Sequence, residues 1–226
     1  MGSLPDLPTR GEKRKITNLG RFLRAWFQDN SREFPWREPG TGDYERICVE
    51  VLLQRTRAQT VAKIYEDFFA RFPDWEEIAQ TEEQDLGEFL KPLGLWRRRA
   101  TSLKKLATYA ADRDGLFPGN EAELENVPAV GQYVANAVLL FQHGQRKPLL
   151  DVNMARLIER YVRPRRLADI RHDPWLQSAA HWLVREGNPI ETNWAVLDFA
   201  SSVCRRPVPS CHQCNIQTKC SKRITL

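Results

Sequence analysis

The 226-residue chain reads as an all-α protein, and three observations predict this. Apolar residues recur at helical spacing in one segment after another. No segment sustains the period-two alternation of a half-buried strand, and the breaks are short turns bearing Pro or Gly. With 42% apolar residues and 7 Trp, the chain has ample material for a buried core.

Taken in order, residues 1–15 are polar, basic and interrupted by Pro and Gly, which predicts a flexible basic arm. Ile16, Leu19, Phe22, Leu23, Trp26 and Phe27 then mark one helix face, which ends before a Pro- and Gly-bearing loop at 31–40. Further amphipathic helices are expected at about 44–54, 57–71, 82–90, 97–113, 132–142, 151–161, 173–185 and 192–203. Breaks at 72–74, 91–94, 117–120 and 143–148 are short enough to join packed neighbours. No shift in composition separates a contiguous second domain, and no repeat is present. The chain has neither a long apolar run nor the layout of a secretion signal, so no membrane span is expected and the location expected is cytoplasmic, associated with the nucleoid.

The 34 basic residues outnumber the 29 acidic ones, for a net charge of +5 and a pI near 9.0. This balance suits a polyanionic partner without identifying one. Basic clusters at 11–15, at Arg97, Arg98 and Arg99 with Lys104 and Lys105, and at 163–166 are candidate phosphate contacts. Each also reads as an ordinary solvated face.

Four of the five cysteines fall near the end as Cys204-x6-Cys211-x2-Cys214-x5-Cys220. That distribution is too uneven for a disulfide framework in a cytosolic protein. Four close thiolates can wrap a tetrahedral metal centre, either a [4Fe-4S] cluster or zinc, although zinc ribbons usually have two C-x2-C pairs and only one is present. Cys48, alone in an apolar segment, reads as a packed core thiol.

Val127-Pro128-Ala129-Val130-Gly131 lies between two helical segments. Such a turn offers backbone N–H groups to a phosphate at a helix start, and it also reads as a plain connection between helices. Asp151, 18 positions after Tyr133, precedes an amphipathic helix and reads as its N-cap.

Together these motifs resemble the helix-hairpin-helix DNA glycosylase superfamily, the endonuclease III and MutY-like enzymes. The resemblance runs from about Phe34 to Cys220 through 34–37, 50–56, 93–100, the hairpin, 151–156 and the cysteines, all in family order. It implies a two-lobed helix-hairpin-helix glycosylase fold. One lobe is a helical barrel at 45–150 that carries the hairpin. The other combines 16–44 with 151–226 and holds a [4Fe-4S] cluster on Cys204, Cys211, Cys214 and Cys220, with DNA in the groove between the lobes. The cluster would order a small loop and hold Lys219, Lys222 and Arg223 toward a phosphate backbone. The implied partner is double-stranded DNA containing a mismatched or damaged base, bound by a monomer.

The resemblance also implies roles. The target nucleotide is rotated out of the duplex, and Asp151 stabilises the positive charge that develops on the sugar. Bifunctional relatives have Lys at position 133, an amine that forms a Schiff base. A Tyr there implies a monofunctional enzyme that leaves an abasic site. Tyr133 with the segment 150–154 is most similar to thymine/uracil mismatch glycosylases. Glu50 matches the general acid of adenine glycosylases but also occurs in mismatch enzymes. Gln54 and Arg55 resemble residues that fill the gap left by the flipped base, Leu95 and Trp96 resemble an opposing wedge, and Val130, Gly131 and Gln132 would grip a phosphate. Ala129 departs from the family, which usually has glycine there, and would be strained if the turn needs a positive φ.

The alternative reading is excision of adenine in the manner of MutY, or of another modified base. Against it stand Tyr133, where those enzymes have Ser, and the chain's ending six residues after Cys220, which leaves no room for their additional domain. A DNA-damage-binding module without catalysis is a further alternative, disfavoured because Asp151 and Glu50 are both present.

Overall fold

The structure, a computed structural model, describes residues 6–222. Its helices are α1 (Arg10–Asn30), α2 (Asp43–Leu53), α3 (Ala58–Ala62), α4 (Tyr65–Arg71), α5 (Trp75–Gln80) and α6 (Glu83–Leu90). They continue as α7 (Trp96–Ala111), α8 (Glu121–Leu124), α9 (Gln132–Phe141), α10 (Val152–Tyr161), α11 (Pro174–Leu183) and α12 (Pro189–Ser202). Among the described residues there is no strand, so the all-α expectation holds. No helix among them is long and apolar enough to cross a membrane.

The chain divides into two compact units. The central unit runs from Glu33 to Gly144, and the terminal unit joins the residues up to Arg32 with those from Gln145 onward.

In the central unit α2 is buried all round, from Ile47 to Leu52, which is the signature of a helix enclosed by its neighbours. Helices α3, α7 and α9 pack on it, and α5 and α6 pack on α7. Val49, Leu52, Phe68, Trp75, Leu86 and Leu103 belong to the resulting core. Cys48 is fully buried there, as expected of a core thiol, and burial pushes its pKa up. The helix expected at 57–71 is two helices, α3 and α4, separated by a turn in which Ile64 N–H donates to Val61 O at 3.1 Å. Two short helices were not expected, α5 and α8. Their starts are capped by Asp74, which accepts from Glu77 N at 2.8 Å, and Asn120, which accepts from Glu123 N at 3.0 Å.

In the terminal unit α1 turns Ile16, Leu19, Leu23 and Phe27 inward, and it packs on α11 and α12, while α10 packs on the same two. Phe22 and Trp26 meet the ring of Phe199 edge-on, with centroids 5.5 and 5.2 Å away. Arg32 ties the end of α1 to the fully buried Asp198 of α12, donating from its backbone N at 2.9 Å and from Nε at 2.8 Å. The helix begins at Arg10 because Thr9 and Glu12 form a capping box. Glu12 N donates to Thr9 Oγ1 at 3.3 Å, and Thr9 N donates to Glu12 Oε2 at 2.7 Å. Residues 10–15 of the expected arm are therefore helical, and residues 1–5 lie outside the described residues.

The expected [4Fe-4S] lobe is corrected. Among the described residues no group of three or more His, Cys, Asp or Glu side chains is placed so that it could hold a metal ion. The C-terminal segment is instead held by direct hydrogen bonds. Ser210 N donates to Val203 O, Ser221 N to Tyr161 O and Lys222 N to Arg160 O at 2.8, 3.2 and 2.9 Å. Arg223 lies outside the described residues.

Gly87 on α6 supports the ring of Trp96 at the start of α7. A Cβ at Gly87 would come within 2.9 Å of two ring carbons of Trp96. Gly87→Ala is therefore expected to destabilise the protein by about 1–3 kcal/mol in urea unfolding, as overpacking does. A gain of about 0.5–1 kcal/mol, the ordinary result of replacing a helical glycine, would contradict this packing.

Candidate active site

In the central unit the sequence places one carboxylate, Glu50, in a helix that is otherwise apolar along its buried stretch. Glu50 is 2% exposed, so its charge depends on hydrogen-bond donors that come to it. One is supplied from α9, where the Tyr133 hydroxyl donates to Glu50 Oε2 at 2.6 Å. Two residues that the sequence singled out 83 positions apart are thus in direct contact. The group at position 133 is a phenol, which donates a proton in a hydrogen bond and cannot condense with a sugar aldehyde as an amine does.

The C-terminal end of α2 leads into Gln54 and Arg55, both exposed, with Arg55 at φ 59°. The buried Arg99 of α7 organises this turn. Its Nη1 donates to Val51 O at 2.7 Å and Leu52 O at 2.9 Å, and its Nη2 donates to Gln54 O at 3.1 Å and Thr56 Oγ1 at 2.8 Å. Thr56 Oγ1 in turn donates to Leu93 O at 3.2 Å, two residues before Leu95. Leu95 is 56% exposed at φ 49°. One guanidinium therefore fastens together two projecting tips, each carrying a non-glycine residue in the left-handed region, the kind of strain that collects at functional sites. In the sequence Arg99 is one member of a basic run and of the segment 93–100, with nothing to mark it as the buried one. Trp96 behaves differently from Leu95: its ring lies on α6 and is stacked by the Arg97 guanidinium at 3.9 Å, so it packs the core.

The hairpin expected at 127–131 connects α8 to α9. Val127 is buried and anchors the turn, Val130 N donates back to Val127 O at 3.2 Å, and Gly131 is the N-cap of α9 at φ −95°. No side chain caps α9 there, and a Cβ added at Gly131 would meet nothing within 4 Å. Gly131 and Gln132 are exposed and Val130 is half-buried, so the positive end of the α9 dipole is open on this side. Ala129 has φ 62°, the positive angle that the departure from glycine put at issue.

In the terminal unit Asp151 is the N-cap of α10, as its place in the sequence predicts. Its Oδ1 accepts from Asn153 N at 2.9 Å and Met154 N at 2.8 Å, and its Oδ2 accepts from the Asn153 side-chain amide at 2.5 Å. Burial raises its pKa above the ordinary carboxylate value, and the bonds from Met154 and Asn153 with the charge of Arg156 partly offset this. These bonds occupy three of a carboxylate's roughly four acceptor positions, which leaves one on Oδ2. Asn153 is the residue that sequence reasoning missed. The signal was an amide two positions after an N-cap aspartate, within reach of its second oxygen.

The four late cysteines line one small cavity walled by Leu157, Phe199 and Val203, with a volume of about 30 Å³. Burial pushes the Cys214 and Cys220 thiols up, favouring the neutral thiol over the thiolate that binds metal. Cys220 Sγ donates to Arg160 O at 3.1 Å, while Arg160 Nη1 reaches Cys204 O at 3.2 Å and Arg205 O at 2.9 Å. The chain therefore does not present these thiols as a ligand set, and no chemical step is assigned to a cluster. The basic cluster at 163–166 is largely spent on ion pairs: Arg163 holds Asp6 and Glu12, and Arg165 holds Glu159.

Residues 48–169, which include Glu50, the hairpin and Asp151, match the HhH-GPD superfamily of base excision DNA repair proteins. The chain is 34% identical over 215 residues to a thymine-DNA glycosylase of Aeropyrum pernix, covering 92% of this chain and 96% of that protein. It is 32% identical over 212 residues to a thymine/uracil-DNA glycosylase of Methanothermobacter thermautotrophicus, covering 93% and 94%. The solved structure of a thermostable thymine-DNA glycosylase superposes with a TM-score of 0.80 at 28% identity, covering 93% of this chain and 97% of that one.

The hairpin geometry predicts the sign of one substitution. Ala129→Gly removes a left-handed cost of about 1–2 kcal/mol and adds about 0.5–1 kcal/mol of chain entropy, so the variant is expected to be more stable by up to about 1.5 kcal/mol in urea unfolding. A less stable variant would mean that the turn does not hold Ala129 at a positive φ.

Proposed function

The chain belongs to the HhH-GPD superfamily of base excision DNA repair proteins, and we infer that it is a DNA glycosylase that removes thymine or uracil mispaired with guanine. The mispaired nucleotide is rotated out of the duplex because its glycosidic bond is inaccessible within the stack. When the bond between C1′ and the base nitrogen breaks, the electron pair leaves with the base and positive charge develops on the sugar. Thymine and uracil leave as anions stabilised by hydrogen bonds, without the prior protonation that adenine requires.

Asp151 supplies the compensating negative charge. Its carboxylate is fixed by the α10 cap and by Asn153, so little reorganisation is needed as the charge appears, and the remaining acceptor position on Oδ2 orients the attacking water. Water adds to C1′ and its proton passes to the carboxylate or to solvent. Gln54, Arg55 and Leu95, projecting from the turns that Arg99 fastens, fill the space that the base vacates. Such insertion offsets an unstacking cost of roughly a few kcal/mol.

The single observation that carries the reaction type is the hydroxyl of Tyr133 bonded to Glu50 Oε2 at 2.6 Å. With a phenol at that position the enzyme has no imine to form there, and the reaction stops at an abasic site with the strand intact.

Incubation with duplexes carrying T·G, U·G, A·8-oxoG and hydroxymethylated pyrimidines, followed by alkali, tests this reading. Strand breaks are expected at T·G and U·G, and only after alkali. Breakage without alkali with trapping by borohydride, or processing of A·8-oxoG alone, would contradict it.

A further inference from the structure

A second site lies on the terminal unit, on residues that take no part in capping α10. Arg10, Lys13, Arg14 and Arg21 of α1 face Trp182 and Arg185, on and just after α11, across an open groove of about 500 Å³. Nothing in the reaction described above uses it.

The cations on α1 fall at positions 10, 13, 14 and 21, which places them along one face of the helix. This arrangement opposes the stability of the helix. Positive charges in the first turns face the positive end of the dipole, and like charges three or four residues apart repel. Among the described residues no carboxylate pairs with Arg10, Lys13 or Arg14, and the acid in the same turn, Glu12, is held by Arg163 instead. Five cations thus line the groove, and the carboxylate that meets them is that of Glu186, 2.9 Å from Arg185 and 3.6 Å from Arg21.

The groove is also ordered in advance. The Trp182 ring has the Arg185 guanidinium 3.5 Å and Lys13 Nζ 4.7 Å from its centroid. Its indole N–H reaches Lys13 O at 3.0 Å and Thr17 Oγ1 at 3.1 Å, which fixes the wall to the floor. Cations held by stacking lose less freedom when an anion arrives. From Arg10 to Arg21 the stripe is about 16 Å long, at about 1.5 Å per residue. Over that length of duplex axis one strand presents about five phosphates.

We propose that this groove holds the phosphodiester backbone of duplex DNA at a place apart from the reacting nucleotide, as a second grip that reads no sequence. It rests on the reading of the protein as a DNA glycosylase for the identity of the polyanion. A stripe of cations along one helix face, about as long as five backbone phosphates, favours a nucleic-acid backbone over an acidic protein face.

The test is binding of an undamaged duplex, followed by fluorescence anisotropy across a salt series, for the full chain and for Arg10→Glu/Arg14→Glu. Both side chains are exposed, and Glu near the start of a helix suits its dipole, so the variant is expected to melt at the same or a higher temperature. Its affinity is expected to fall about tenfold or more, and the slope of log K against log salt to shrink by about 2, near 0.9 for each phosphate that is no longer neutralised. Lys63→Glu/Arg71→Glu on the central unit changes the net charge equally and is expected to leave the slope in place. Equal affinity and slope for the groove variant and the wild type, or an equal weakening of both variants, would overturn the proposal. The readout does not depend on base release. A wild type that binds duplex but frees no thymine or uracil would contradict the proposed reaction and leave the groove intact.

Discussion

A carboxylate that caps a helix cannot wander, and that constraint on Asp151 underlies the chemistry assigned to the protein. The cap fixes Oδ1 through two backbone N–H groups, and the amide of Asn153 fixes Oδ2. Burial works against the charge and raises the pKa. A raised value in the folded state means that the contribution of this carboxyl to stability is full below the ordinary carboxylate pKa and is lost as pH rises through the folded value. Ionising this carboxyl in the folded protein therefore costs stability, as expected of a group kept for reaction.

The central unit follows the same logic with a different device. Glu50 sits in a helix that is enclosed on all sides, where an ionised side chain survives only if donors reach it, and Tyr133 brings one. Beyond Glu50 the helix ends in carbonyls gathered by Arg99, and the tips at Arg55 and Leu95 are held in left-handed conformations that unaided chains avoid. Such strain persists because the buried guanidinium over-determines the turn. A rigid core thus supports the small exposed groups that we propose fill the space left by the base.

Much of this was legible in the sequence, for definable reasons. Long helices such as α7 and α10 announce themselves by periodicity, and Asp151 by its position before one. Helices α5 and α8 do not, because 6 and 4 residues are too few to display a period, although Asp74 and Asn120 marked their starts. The capping box at Thr9 and Glu12 was equally readable and moves the helix start into what composition alone suggested was an arm. Arg99 was hidden by its neighbours, since a basic run gives no sign of which member is buried. The cysteine spacing misled in the opposite direction. Spacing along the chain constrains which thiols can meet, but only the folded path decides whether they do, and here they line a cavity without forming a ligand set.

The most direct test follows single-turnover base release from a T·G duplex by the wild type and by Asp151→Asn over a series of pH values, with melting temperatures measured in parallel. Asn is as good an N-cap as Asp, so the variant is expected to melt at the same or a higher temperature at neutral pH. Release by the wild type is expected to rise with pH through a midpoint above the ordinary carboxylate range, and release by the variant to be slower by about a hundredfold or more. A variant that frees thymine as fast as the wild type would contradict the account.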